Sequence, residues 1–184
     1  MIDVSPDDYV ACICEGPSET TVMNLLLEEG ALCFDKGQLL DGKLLPSKFF
    51  RDPKLFVDRY LTMDFEGRKI CVLLIQDRKN TKYAIRNPYL EKVGIVAYVI
   101  TAPEIEMLMI HSRGLYNDYK KRSSHIKPSV YLAEQTKTST AKIKSEGYIR
   151  QFYGSHNLVE AIRTHKKKSQ NLGGDKYFLA DLLR

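Results

Sequence analysis

The sequence predicts an α/β protein, a mostly parallel sheet with flanking helices and a helical extension at its C-terminal end. Three observations carry this prediction. Lys69–Gln76 (KICVLLIQ) and Val93–Ile100 (VGIVAYVI) are almost continuously apolar, as expected of strands covered on both faces. Segments of helical spacing separate the apolar runs, which gives the alternation of a parallel sheet with crossovers. Beyond His111 the strand-like runs stop and helical segments take over.

The elements follow in order. Tyr9–Cys14 (YVACIC) reads as a first buried strand, broken by Glu15-Gly16-Pro17. Ser18 is placed to cap a helix whose apolar residues Val22, Leu25 and Leu26 recur at helical spacing until Gly30 stops it. Ala31–Phe34 is expected to add a short strand, and the stretch after it reads as loop. Asp52-Pro53 then supplies a cap and a first helical residue. The polar cluster Asp77-Arg78-Lys79-Asn80 ends the strand at Gln76, and a helical segment is expected before Val93. Thr101-Ala102-Pro103-Glu104 reads as a helix start with a capping box. Four further helices are expected: Pro128–Gln135, Ser145–Tyr153, Ser155–Lys168 and Asp175–Leu183.

The 184 residues suffice for one domain with a sizeable core and are too few for two ordinary ones. The expected division is an α/β core over 1–112 and a basic helical extension over 113–184, packed on that core. The net charge of +5 conceals an asymmetry. Residues 111–168 hold 13 Lys/Arg against 4 Asp/Glu, leaving 15 against 19 elsewhere. A basic C-terminal part on a mildly acidic remainder points to an anionic partner. No apolar run approaches the roughly 18 residues of a membrane span, and the acidic start MIDVSPDDYV lacks the order of a signal peptide. Cys12, Cys14, Cys33 and Cys71 show no metal-ligand spacing, so reduced thiols in the cytoplasm are expected.

In open α/β sheets, ligands bind beyond the carboxyl ends of the strands. The residues that follow the three predicted strands there include Glu15 and Glu19, Asp77 with Arg78 and Lys79, and Glu104 with Glu106. Carboxylates gathered on one rim repel one another unless a cation lies among them, and an all-oxygen site suits Mg²⁺ or Mn²⁺. Each also has a structural reading: Glu19 complements a helix dipole, Glu104 completes a capping box, and Asp77 caps a turn. Glu106 falls near the apolar face of Met109 and Ile110, where a carboxylate without a partner is costly.

The segment Cys14-Glu15-Gly16-Pro17-Ser18-Glu19 after a first strand resembles the EGxSE opening of Toprim domains, particularly those of OLD-family and RloB-like nucleases. Ala102-Pro103-Glu104-Ile105-Glu106-Met107-Leu108 resembles the NPxFExW segment of the RloB-like proteins. The likeness spans roughly residues 8 to 112. It places Glu15 on the family's first Glu, Asp77 on the first Asp of its Asp-x-Asp motif, and Glu106 on the later Glu. Lys79 stands where that motif has its second Asp.

The resemblance implies a Toprim-like, Rossmann-like fold and a Mg²⁺-dependent (or Mn²⁺-dependent) nuclease acting on RNA or DNA in prokaryotic antiviral defence. It implies that Glu15, Asp77 and Glu106 hold the metal, with Glu19 assisting; where the sequence departs from the motif, Lys79 or its neighbour Arg78 is expected to steady the scissile phosphate. The departure at Lys79 keeps a second expectation open, a non-catalytic nucleic-acid-binding or interaction subunit of a defence complex. A protein partner or a second copy of the chain is compatible with either.

The basic half supplies the expected grip on nucleic acid: Lys120, Lys121, Arg122, Lys142, Lys144, Arg150, Arg163, Lys166, Lys167 and Lys168. Tyr116, Tyr119, Tyr131, Tyr148 and Tyr153 are interleaved and could stack bases or fill the core. His111 is read either as a proton shuttle or phosphate contact, or as a core histidine. The turn after the first strand has one glycine and no following Lys, which excludes a phosphate-cradling Walker loop.

Overall fold

The computed structural model describes residues 2–78 and 81–184. Strand β1 (Tyr9–Cys14) leads through Gly16 into helix α1 (Pro17–Glu28). Short helices α2 (Lys48–Arg51) and α3 (Pro53–Phe56) follow, the second running into a π-type turn over Val57–Leu61. Strands β2 (Ile70–Gln76) and β3 (Val93–Ile100) come next. A helical stretch then comprises α4 (Met107–Ser112), α5 (Tyr116–Arg122), α6 (Pro128–Thr136), α7 (Thr140–Ile143), α8 (Glu146–Tyr153) and α9 (Leu158–Lys168). A last strand, β4 (Lys176–Phe178), ends the described sheet.

The four strands lie in the order β1-β2-β3-β4, and every pairing is parallel. This is the α/β arrangement with a parallel sheet predicted by the apolar runs, and it is consistent with a Rossmann-like fold. The alternation within each run sorts its side chains between two layers. Cys12, Cys14, Leu73, Ile75, Ala97 and Val99 join the core beneath α1, α4, α6, α8 and α9. Ala11, Ile13, Val72, Leu74, Tyr98 and Ile100 join the core that holds Phe49, Phe56 and Tyr60. Every residue of β2 is buried, because that strand is covered on both faces. Among the described residues no helix is long and apolar enough to cross a membrane.

Several local expectations are corrected. Leu32 makes only an isolated antiparallel bridge to Leu183, so Ala31–Phe34 is no strand of the sheet. Gly16, not Ser18, is the N-cap of α1; Pro17 takes the first helical position and Ser18 is buried inside the first turn. Helix α9 starts from Asn157, whose side chain accepts the Glu160 N–H at 2.9 Å, and not from Ser155. Between β2 and β3 the described residues hold only a short 3₁₀ turn, Tyr89–Lys92, where a longer helix was expected.

The C-terminal segment differs most. The expected helix over Asp175–Leu183 is instead β4 followed by a 3₁₀ turn, Leu179–Leu182. Lys176, Tyr177 and Phe178 pair with Tyr98, Val99 and Ile100, satisfying the open edge of β3. Asp181 accepts the Phe178 N–H at 2.9 Å and takes Lys166 at 2.6 Å, which fixes the turn against α9. The helices after residue 112 also share one apolar cluster with the sheet, through Ile149, Ile162 and Leu182.

Candidate active-site cleft and adjoining groove

The register of the sheet explains where the carboxylates emerge. Cys14 pairs with Ile75 and Gln76 with Ile100, so β1, β2 and β3 end almost level. The Glu15 N–H donates to the Ile75 carbonyl at 2.9 Å, and the Thr101 N–H to the Gln76 carbonyl at 2.8 Å. Glu15 and Asp77 therefore leave the sheet side by side, and the Asp77 N–H donates to Glu15 Oε2 at 3.3 Å. Glu19 reaches the same rim from the first turn of α1, and Glu106 from the N-cap of α4. With Glu104, these side chains line one cleft of about 210 Å³. The structure brings together the four residues predicted to hold a metal: Glu15, Glu19, Asp77 and Glu106. Lys79, predicted as the phosphate contact, lies outside the described residues.

Glycine at position 16 permits the crowding. A Cβ there would stand 2.8 Å from Glu19 Oε2, so any larger residue displaces that carboxylate. Burial raises the Glu19 carboxyl to about 7, and the neighbouring charges of Glu106, Asp77 and Glu15 add to the shift. Glu15 is raised by burial and by Asp77, while Arg78 Nε at 3.2 Å from Oε1 opposes this.

Glu106 is 2% exposed, and its Oε1 has no hydrogen-bond partner of normal geometry among the described residues. Burial raises its carboxyl, against the pull of Lys144. Lys144 Nζ sits 3.1 Å from Glu104 Oε1 and 3.9 Å from Glu106 Oε2. Burial disfavours the ammonium, but the two carboxylates outweigh it and hold its pKa above the ordinary value. Glu104 does not close a capping box: its Oε2 accepts the Ser129 N–H at 2.9 Å while its Oε1 takes Lys144. With that carboxylate committed to α6 and Lys144, α4 begins only at Met107.

The donors suit a hard cation. They are carboxylate oxygens, the charges of Glu106, Asp77 and Glu15 add to the raised pKa of Glu19, and Glu106 Oε1 is buried without a hydrogen-bond partner among the described residues. Among the described residues, no three His, Cys, Asp or Glu side chains converge as a ready ligand set. Chemical type and gathering in one cleft thus fit Mg²⁺ or Mn²⁺, while the side chains must close in to bind it.

Two further hollows adjoin the cleft in series and share wall residues. Asp77 and Glu104 also wall a middle section of about 360 Å³, lined further by His125 and Lys127. That section shares Pro103, Tyr119 and Ser123 with a basin of about 460 Å³ at the ends of β3 and β4. Lys120 and Lys168 stand on the basin wall.

The other predicted basic residues are placed differently. Arg122 pairs with Glu134 at 2.8 Å, and Lys121 lies 3.9 Å from Asp118. Arg150 ties α8 to Glu28 of α1 by two bonds of 2.8 and 2.9 Å and also takes Glu146. Lys166 holds Asp181. Lys142, Arg163 and Lys167 are exposed away from the three groove sections.

The tyrosines are mostly structural. Tyr119, Tyr131 and Tyr153 are buried. Tyr116 is stacked on His111, and Lys168 Nζ lies 4.4 Å from its ring centre. His111 is a core histidine bonded to His165, with 3.2 Å between Nε2 and Nδ1. Burial lowers His111 to about 4 and lowers His165 as well.

Comparison with protein-family models, curated proteins and solved structures returns no match. Sequence reasoning placed Glu104 on the rim but also read it as a cap, and it gave Lys144 to an outer nucleic-acid surface. A lysine at residue 144 carries no local sign of a carboxylate at residue 104 or 106. Lys127 in the middle section was passed over because its visible role was to precede Pro128, at the start of α6.

Proposed function

We propose that the chain is a Toprim-like, metal-dependent nuclease that takes an RNA or DNA strand along the groove and hydrolyses its phosphodiester backbone at the carboxylate end. The carrying observation is that the carboxylate cleft shares wall residues with neighbouring hollows edged by Lys127, Lys120 and Lys168. Glu15, Glu19, Asp77 and Glu106 are the residues that would hold Mg²⁺ or Mn²⁺. Such an ion, when bound, polarises a phosphoryl oxygen and lowers the pKa of bound water.

The chain's own groups do the positioning. Lys120, Lys127 and Lys168 neutralise phosphates and fix the strand's register. Arg78, whose side chain is 75% exposed at the rim, meets the phosphate that arrives beside Glu15. Glu19, raised to about 7 by burial and its carboxylate neighbours, would give up its proton as the ion binds. All four thiols are free, which supports work in a reducing cytoplasm, and a role in prokaryotic antiviral defence accords with the family resemblance.

The rival reading is a nucleic-acid-binding subunit without catalysis, on a Toprim-like scaffold that has lost its metal. One observation favours it: Lys144 already supplies a cation to Glu104 and Glu106. Incubation with labelled RNA and DNA plus Mg²⁺ or Mn²⁺ separates the two. Cleavage that needs the metal and disappears in Glu15→Gln and Asp77→Asn supports the nuclease. Binding without cleavage under either metal leaves the rival standing and removes the nuclease.

A further inference from the structure

The basin at the far end of the groove lies away from the carboxylates and does not enter the hydrolysis. Its floor consists of the terminal residues of two paired parallel strands, Ile100 of β3 and Phe178 of β4. Met107 and Leu172 extend this apolar surface. The polar groups stand around it: the ammoniums of Lys120 and Lys168, the Gln170 amide and the hydroxyls of Ser123 and Ser169. The two serine protons go to the Lys120 and His165 carbonyls, leaving their oxygens free to accept.

This lining discriminates between forms of nucleic acid. A duplex keeps its bases stacked inside and offers phosphates, so it would meet the two lysines and leave the apolar floor unused. An unpaired nucleotide brings a flat apolar ring, a hydrogen-bonding edge and a phosphate together. A basin of about 460 Å³ is in the size range of sites that enclose one small molecule. The base would be gripped by an apolar floor and a polar rim, beside a Tyr116 ring that already stacks on His111.

We infer that the basin seats one unpaired base of the bound strand, with its phosphate at Lys120 and Lys168, so that the substrate is single-stranded there. The inference rests on the nucleic-acid part of the function proposed above and names the form of the substrate.

Fluorescence anisotropy in EDTA, where metal-dependent cleavage cannot occur, tests it with a labelled single strand and the blunt duplex of the same sequence. The wild-type protein is expected to bind the single strand about tenfold or more tightly than the duplex. Ser123→Trp and Gln170→Trp, both at exposed positions, fill the basin and should abolish the preference while thermal unfolding stays unchanged. Adenosine monophosphate should compete only weakly, because it offers one nucleotide of the whole contact.

Equal affinity for duplex and single strand, or a preference that survives both variants, overturns the inference. So does binding of the mononucleotide with no binding of any strand, which would make the basin a free-nucleotide site. A single-strand preference without metal-dependent cleavage refutes the nuclease and leaves the basin's role intact. Cleavage with equal affinities does the reverse, and no binding of any nucleic acid removes both.

Discussion

Lys144 Nζ lies 3.9 Å from Glu106 Oε2, and the carboxylate it approaches is 2% exposed. With Glu104 at 3.1 Å, the ammonium offsets the charge of two of the cleft's carboxylates, as Arg78 does for Glu15. Its backbone is held too, since Ser18 Oγ donates to the Lys144 carbonyl at 3.4 Å across 126 residues of sequence. A divalent ion entering the cleft would therefore meet a resident cation.

Replacing that cation should destabilise the protein and make it metal-responsive. Lys144→Met leaves the buried Glu106 and the partly buried Glu104 without their ammonium, but the lysine side chain is 41% exposed, so solvent screens part of the cost. The expected loss is about 1–2 kcal/mol, a fall in Tm of roughly 2–8 °C. Mg²⁺ should raise the Tm of the variant more than that of the wild type, which differential scanning fluorimetry would read directly. Equal responses to Mg²⁺ would mean that Lys144 and the ion do not share a place.

Gly16→Ala should separate site geometry from fold. The new Cβ would lie 2.8 Å from Glu19 Oε2, and the cheaper response is for that flexible carboxylate to swing away. Stability should change by less than about 1 kcal/mol. Mn²⁺ binding measured by calorimetry should weaken clearly. A large loss of stability with unchanged Mn²⁺ affinity would show that the carboxylate had not been the part to move.

Acidity should govern metal binding through Glu19. A carboxyl raised to about 7 is protonated over part of the neutral range and must release its proton before it can hold an ion. Mn²⁺ affinity and any Mg²⁺-dependent cleavage are thus expected to rise as pH increases through about 7. Glu19→Gln should weaken binding and remove that pH step. A wild-type profile flat across this range would exclude Glu19 from the cation's shell.

The His111–His165 pair predicts loss of stability in acid. The folded pKa of His111 is lowered from 6.5 to about 4 by burial, then by the charges of His165 and Lys168. The unfolded chain therefore binds more protons between those values, and its stability advantage grows as pH falls. The stabilising contribution is complete above about 6.5 and is lost as pH drops toward about 4. Tm followed over this interval should fall more steeply for the wild type than for a His111→Phe variant.

Salt dependence should distinguish basic residues that meet nucleic acid from those that hold the fold. Lys120→Ala and Lys168→Ala should each lower the slope of log affinity against log salt by about 1. Arg150→Ala should leave that slope unchanged, since its guanidinium is committed to Glu28 and Glu146. Its effect should appear in the thermal stability of the contact between α1 and α8.

Much of the fold was legible because both-face burial leaves a strong local signature. KICVLLIQ and VGIVAYVI read as covered strands from composition alone, and they became β2 and β3. Glu15 and Asp77 were legible as rim residues because a strand's last residue fixes where its successor emerges. Phe178 and its neighbours were not legible as a strand. Three residues are too short for a period, and β4 exists because β3 offers an unpaired edge beside it.

By itself the sequence determined the two-sided sheet, the rim on which its carboxylates stand and the unevenness of its charge. These follow from neighbours along the chain, through alternation, turn chemistry and simple counting. Only the tertiary structure decided which charges meet. Lys144 was drawn into the acidic cleft and Arg150 to Glu28 by the packing of α7 and α8 beside α1, while Lys120 and Lys168 were left to edge a groove. The physical reason is one of range: periodicity acts over a few residues, whereas an ion pair is set by distance in space, whatever length of chain lies between its partners.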